Sequence, residues 1–373
     1  MTNMKSFSKQ HGAMLLISVV LLLIMALAVS MYTGRVKTQE QRILLNEQNY
    51  RIAFNAAESG VARALGILSE EPSWNGAAVV NLLGNNASYA VNGASQQVPR
   101  QSSTVTLVTL NAQGNSPDGL ATVNVQEQAM LYTVLANPPD APLIVAGGLN
   151  VGGNFEVAAN PNGGGTGVPL SIWTDQLVDM NNGSGTTCGL HEHQNGTCST
   201  APYSEKGFKD LDIVDNDPGF PTDLMEYLFN VPEADWSQLR TDADLRLNSC
   251  AALGPASVGL IWVDGNCTIN ANNVVGSVTD PVILIVTDGD ITMNGGATLF
   301  GIVFSFRKPS TVANFEINMI GGATVNGVVA SNHPVGHANG TYNAVYDADV
   351  LSAIEQHDAF MRVARVPGSW RDF

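Results

Sequence analysis

The sequence predicts an α+β protein: a long N-terminal helix, transmembrane and then amphipathic, packed on an antiparallel sheet and followed by a Gly-rich, short β-solenoid-like domain. Three observations predict it. No residue between Ala13 and Gly34 is charged. Apolar and polar residues alternate from Ser103 to Leu110 and from Ala121 to Leu135, on either side of a turn. The stretch Ile291–Ser305 recurs, with substitutions, at Ile317–Ser331, 26 residues further on.

The apolar stretch 13–34 spans roughly 30 Å as a helix, enough to cross a bilayer core. It is longer than the 7–15 apolar residues of a typical secretory signal, and it passes into more helical pattern without a break. Lys5 and Lys9 lie on one side and Arg35 and Lys37 on the other, so flanking charge alone sets no orientation. Beyond the span, Tyr50, Phe54, Ala57, Val61, Leu65 and Leu68 form a stripe at helical period, and Glu47 precedes Arg51 by one turn. Pro72 is the first breaker. An unbroken helix over 13–69 would be about 85 Å long.

A short basic leader ending Lys9-Gln10-His11-Gly12, an apolar helix and an amphipathic continuation together resemble the start of a type IV pilin. Ala53, Phe54, Ala56, Ala57, Glu58 and Gly60 resemble the AF.AAE.G signature of the PilX type of minor pilin. The resemblance implies cleavage by a prepilin peptidase between Gly12 and Ala13. It also implies a single-pass inner-membrane precursor with a periplasmic body, later part of an extracellular pilus. Its partners would be other minor and major pilins, the prepilin peptidase and the inner-membrane assembly platform. Pilus assembly or initiation, adhesion, twitching motility and DNA uptake are the roles implied. Two positions depart from the pattern of major pilins: Ala13 stands where they have Phe, and Ile17 where they have Glu. In the family that Glu is thought to pair with a neighbouring subunit's new amino terminus. Its absence suits a subunit used rarely, near the tip.

The expected organisation is a leader (1–12), a transmembrane helix (13–34), its amphipathic continuation (35–70), a β layer (71–141) and a Gly/Asn-rich β domain (142–373). Ser116-Pro117-Asp118-Gly119 marks the turn in the β layer, and Asn137-Pro138-Pro139 marks its end. In the last domain the 26-residue repeat, with Asp264–Ile269 (DGNCTI) as a partial copy of Asp288–Met293 (DGDITM), predicts stacked rungs. An insertion is expected at 186–246, with a helix at Asp223–Phe229. A C-terminal helix is expected near Asp347–Phe360, followed by an aromatic tail that docks on its own domain.

Composition narrows the function. Residues 1–70 hold seven Lys/Arg and four Glu, leaving ten basic and 29 acidic residues, or −19, for the rest. So acidic a body repels phosphate backbones, which argues against nucleic-acid binding. The four cysteines, Cys188, Cys198, Cys250 and Cys267, all follow the membrane segment and predict disulfides in an oxidising compartment. Cys188–Cys198 and Cys250–Cys267 close the shortest loops, and two other connectivities remain open.

No G-x-S-x-G elbow and no P-loop is present, and an enzyme is not expected. Asp288 and Asp290 (TDGD) are weighed as clustered carboxylates and read as a turn. Cys188, His191, His193 and Cys198 could supply zinc ligands, but their spacing matches no established finger and a disulfide-closed loop is the simpler reading. Asp215, Asp217, Asp223 and Glu226 fall at calcium-loop positions 1, 3, 9 and 12, yet Phe220 sits where such a loop needs Gly. A helix cap at Asp223 explains the same residues, and no cofactor other than this weak calcium candidate is expected. The rival readings are the large tip pseudopilin of type II secretion, which a mainly helical second domain would favour, and a membrane-anchored β-helix carbohydrate-binding protein.

Overall fold

The computed structural model of the 373-residue chain describes residues 10–74, 78–81, 86–100, 103–151, 153–181, 183–198, 201–338 and 341–373. The leader 1–12 lies outside them except for its last three residues, which are already helical.

Helix α1 runs unbroken over Gln10–Glu70. It stops where Pro72 disfavours helical backbone at the residue before it. Its final third lies on an antiparallel sheet of β1 (Ala78–Asn81), β2 (Ser88–Arg100), β3 (Ser103–Asn115) and β4 (Thr122–Thr133). The buried face of α1 is Ala53, Ala56, Ala57, Gly60, Val61, Ala64 and Leu68, packed on Tyr89, Val91, Val108, Leu110, Ala112, Val123 and Val125. This corrects the expected stripe: Tyr50 is exposed, and Phe54 and Leu65 sit at the flanks. The small residues face the sheet because only they allow it to come so near. A Cβ on Gly114 of β3 would overlap the Ala53 carbonyl oxygen and come within 2.5 Å of the Ala57 nitrogen, and one on Gly60 would stand 2.9 Å from the Tyr89 ring.

Past Asn137-Pro138-Pro139 the strands pair in parallel and wind into a three-sided stack. Its first turn is β5 (Leu143–Val145), β6 (Leu149–Val151) and β7 (Asn154–Ala159). The second is β8 (Ile172–Thr174), β9 (Val178–Asp179) and β10 (Thr186–Gly189). After the short helix α2 (Leu190–Gln194), strand β11 (Ile213–Val214) adds a last strand on β8. Residues 215–244, carrying α3 (Leu224–Phe229) and α4 (Trp236–Thr241), then cross the outside of the stack to its opposite end.

There β12 (Leu245–Leu247) starts a second series: β13 (Gly259–Asp264), β14 (Cys267–Ile269), β15 (Val274–Val275), β16 (Val282–Thr287), β17 (Ile291–Met293), β18 (Thr298–Phe306), β19 (Ile317–Met319), β20 (Ala323–Ser331), β21 (Val335–Ala338) and β22 (Thr341–Val345). The last turn of this series lands on the first turn of the other. Val329 faces Leu143, Val335 faces Leu149 and Thr341 faces Asn154. Along the stack the long side reads β12, β13, β16, β18, β20, β5, β8, β11. The chain thus enters one continuous stack at its middle, winds to one end, crosses over, and winds back from the other. The stretch expected as an insertion, 186–246, therefore holds β10, β11 and part of β12 as well as the crossover.

The long side is buried on both faces, which is why its strands are nearly continuous apolar runs such as VILIV and GLIWV. Ile261, Val263, Leu284, Val286 and Val303 point into the stack. Leu260, Trp262, Ile283, Ile285, Phe304 and Phe306 point outward, under Leu224, Leu228, Phe229 and Leu239 of the crossover. Arg240 clamps the crossover to the stack through Asp264, at 2.7 Å.

The 26-residue repeat is a structural register: Ile291 faces Ile317, Gly301 faces Gly327 and Ser305 faces Ser331. Gly301 and Gly327 bend their strands from one side of the stack to the next, with φ of 141° and 133°. A Cβ on Gly301 would overlap the Val282 carbonyl, and one on Gly327 the Gly301 carbonyl.

From β22 the chain returns through α5 (Ala348–Gln356), capped by the Asp347 carboxylate, to β23 (Met361–Arg365) and β24 (Arg371–Asp372). Both pair with the free edge of β4, so the sheet order is β1-β2-β3-β4-β23.

Gly301→Ala is expected to destabilise the protein by about 3 kcal/mol or more, since it adds a clash to a positive φ. Gly66→Ala, on an exposed turn of α1 with open space around it, should stabilise by about 0.5–1 kcal/mol. Denaturant midpoints of the two variants check this pair.

Candidate functional site

The part of α1 from Met14 to Gly34 is apolar all round and uncovered. Met14, Leu15, Leu16, Ile17, Leu21, Leu22, Leu23, Ile24, Met25, Leu27 and Met31 are all exposed. It is the one helix among the described residues long and apolar enough to cross a membrane. Two of its hydroxyls bond back within the helix: Ser18 Oγ donates to the Leu15 carbonyl at 2.9 Å, and Thr33 Oγ1 to that of Val29 at 3.0 Å. That is how polar side chains are accommodated in lipid. Gly12 and Ala13 lie in its first turns. Above the apolar span, Ile43, Leu44 and Leu45 are also exposed, below the point where the sheet begins to cover the helix.

The signature residues sit at that point. Ala53, Ala56 and Ala57 are fully buried against the sheet. Phe54 and Glu58, on the adjoining face, receive the C-terminal tail. The Trp370 ring meets Phe54 edge-on with centroids 6.2 Å apart, and its Nε1 donates to Glu58 Oε1 at 2.6 Å. The tail thus docks on α1 and β4 of the helix-and-sheet head, not on the β domain it follows, which corrects the expectation. Sequence reasoning missed Gly114 and Trp370 as partners of the signature. An isolated glycine inside a strand pattern was the available signal for the first.

The structure joins Cys188 to Cys198 and Cys250 to Cys267. The first bridge closes the loop that carries α2. His193 Nε2 lies 3.2 Å from Glu156 Oε1 on β7, while the His191 ring faces Asn195. The second bridge ties the end cap of the stack to β14.

The calcium-loop candidates are not brought together around one point; three of the four are taken by bonds within the chain. Asp215 accepts from Val178 N at 3.0 Å and from Lys209 Nζ. Partial burial works against that carboxylate's charge, but the two bonds outweigh it and hold its pKa below the usual value. Asp217 accepts from Trp173 Nε1 at 2.7 Å and Gly219 N at 2.8 Å, which lowers it likewise. Asp223 caps α3 through Glu226 N at 2.8 Å and also accepts from Glu233 N. The side chain of Glu226 contributes nothing to that cap, which uses its backbone.

Asp288 and Asp290 are corner residues of the stack. Asp288, at φ 49°, accepts from Lys308 N at 3.0 Å, and Asp290 accepts from Glu316 N at 2.9 Å.

No protein-family model matches the chain, and no curated protein matches it. Among solved structures, that of the competence-associated pilin ComZ from Thermus thermophilus aligns with 87% of this chain and 98% of its own. The identity is 12% and the TM-score 0.25, a likeness too slight to carry a functional conclusion.

Trp370→Ala removes a ring contact and a hydrogen bond at a half-exposed position. It should cost about 1–2 kcal/mol of stability, measured by thermal or denaturant unfolding in detergent.

Proposed function

We propose that the chain is a minor pilin of a type IV pilus, of the PilX type, acting in pilus assembly or initiation at the tip and in adhesion. The observation that carries this is the division of α1. Its last third is seated on the chain's own sheet through the Ala/Gly face, whereas the part from Met14 to Gly34 and Ile43–Leu45 remain apolar and uncovered. A membrane covers the first part before assembly, and neighbouring pilin helices cover both parts in a filament.

In this reading residues 1–12 face the cytoplasm, as the resemblance to a pilin leader implies. The prepilin peptidase cuts after Gly12 and frees the amine of Ala13. The body stands in the periplasm, an oxidising compartment that suits two disulfides, and reaches the cell exterior with the pilus. With Ile17 in place of an acid, the apolar span of the helix carries no carboxylate to receive a neighbour's amine. It therefore belongs at a position where none has to be received, in an initiating complex with other minor pilins above the major pilin and the assembly platform.

The chain acts without catalysis or cofactor in this reading: Asp288 and Asp290 hold corners and the calcium-loop acids hold loops. The β-rung second body, rather than a helical one, favours the pilus over the secretion pseudopilin.

The test is intact mass of the chain extracted from membranes with and without prepilin peptidase. We expect loss of residues 1–12 only where the peptidase is present. An intact N-terminus in both would overturn the pilin reading and leave an anchored binding protein.

A further inference from the structure

Glu156, Cys188 and Cys198 come from β7, β10 and the loop after α2 and converge on one spot, and His193 of α2 reaches the Glu156 carboxylate beside it. Parallel pairing sets Thr186 opposite Glu156 and Cys188 opposite Ala158, so the glutamate rises beside the bridge. A Glu156 carboxylate oxygen and both sulfurs lie within 4.8 Å of one another. Glu156 Oε1 is 3.4 Å from Cys198 Sγ and 3.2 Å from His193 Nε2. Cys188 is fully buried, while Cys198, Glu156 and His193 are partly open, so the cluster has a floor and an accessible mouth.

The distances from Glu156 to Cys198 and to His193 are near those between ligands of a tetrahedral zinc site, and reduction of the bridge lets the two sulfurs separate. Zn–S bonds of about 2.3 Å and Zn–N or Zn–O bonds of about 2.0–2.2 Å place neighbouring ligand atoms about 3.3–3.8 Å apart. The donor set of two sulfurs, an imidazole and one carboxylate is that of a borderline-soft cation and not of calcium. The bridge and the metal exclude each other, because only thiolates ligate.

We propose that, when the Cys188–Cys198 bridge is reduced, Cys188, Cys198, His193 and Glu156 form a Zn2+ site, so that the 188–198 loop has two alternative locks on β7. Reduction by a thiol reductant supplies two electrons and two protons, and reduction by a phosphine supplies two electrons with the protons from water; either gives two Cys–SH groups. Zn2+ then displaces both thiol protons and takes the carboxylate and the neutral imidazole as its other ligands. His191 is not a ligand in this arrangement, since its ring faces Asn195.

The test uses the full chain in detergent, reduced with a phosphine, whose phosphorus takes up the oxygen of water as the bridge becomes two thiols. Anaerobic titration with Co2+ alone reads thiolate-to-metal charge transfer and the visible band of tetrahedral Co2+; Zn2+ alone should then displace it. We expect one Co2+ per reduced chain and no such band in the oxidised chain. His193→Ala and Glu156→Gln keep all four cysteines, and each should weaken binding about tenfold or more. Far-UV circular dichroism of each oxidised variant checks that it folds. No charge-transfer band in the reduced chain, a band in the oxidised chain, or equal affinity in both variants and the parent would each overturn the site. The last result would assign the metal to free thiols alone, including those of the Cys250–Cys267 pair.

Discussion

The close seating of α1 on the antiparallel sheet is the contact on which the remaining structure depends. A helix that a sheet approaches this closely needs one face that carries little bulk. Ala53, Ala57 and Gly60 supply it, and Gly114 removes the side chain that would otherwise meet the Ala53 carbonyl. The apolar bulk is supplied from the sheet side, by Tyr89, Val108, Leu110, Val123 and Val125. Fully burying one such side chain is worth about 1.5–3 kcal/mol, so a handful of them can fix the sheet on a helix that offers mostly methyl groups.

That sheet decides how the β stack is attached. β4 leads into β5, and β23 returns to pair with β4. Entry and exit are thereby neighbours, and a stack that has to begin and finish at one place must open at its middle. The parallel pairing of β20 and β22 with β5 and β7 closes that opening. The crossover then links the two distant ends, and in doing so covers the outward face of the long side. Without it Trp262, Phe304 and Phe306 would stand in water. Trp370 completes the unit by bringing the end of the chain back to Glu58, beside the buried alanines of α1.

Much of this was legible in the sequence. The length of α1, the hairpin around Asp118, the cap at Asp223, the helix near Asp347 and the register of Ile291 with Ile317 all follow from local signals of charge, period and turn chemistry. The buried face of α1 was not, because periodicity favours the largest apolar residues, and Tyr50, Phe54 and Leu65 outweigh alanines that pack closer. The order of the stack was hidden for a different reason. β5 to β11 are short and share no repeated residues with the later rungs, so nothing local says that Leu143 will face Val329. At the disulfide loop the spacing of Cys188, His191, His193 and Cys198 pointed to the right segment. It could not show that Glu156, some thirty residues away on β7, completes the cluster in place of His191.

The proposal that the uncovered apolar part of α1 is covered by neighbouring helices in a filament is tested most directly by detection in the filament itself. Pili sheared from cells and freed of membrane would be analysed by quantitative mass spectrometry for peptides of this chain. We expect the mature form, beginning at Ala13, at a small fraction of the major subunit and lost together with the pili when assembly is blocked. Recovery of the chain only in the membrane fraction, with none in intact sheared pili, would contradict a place in the pilus.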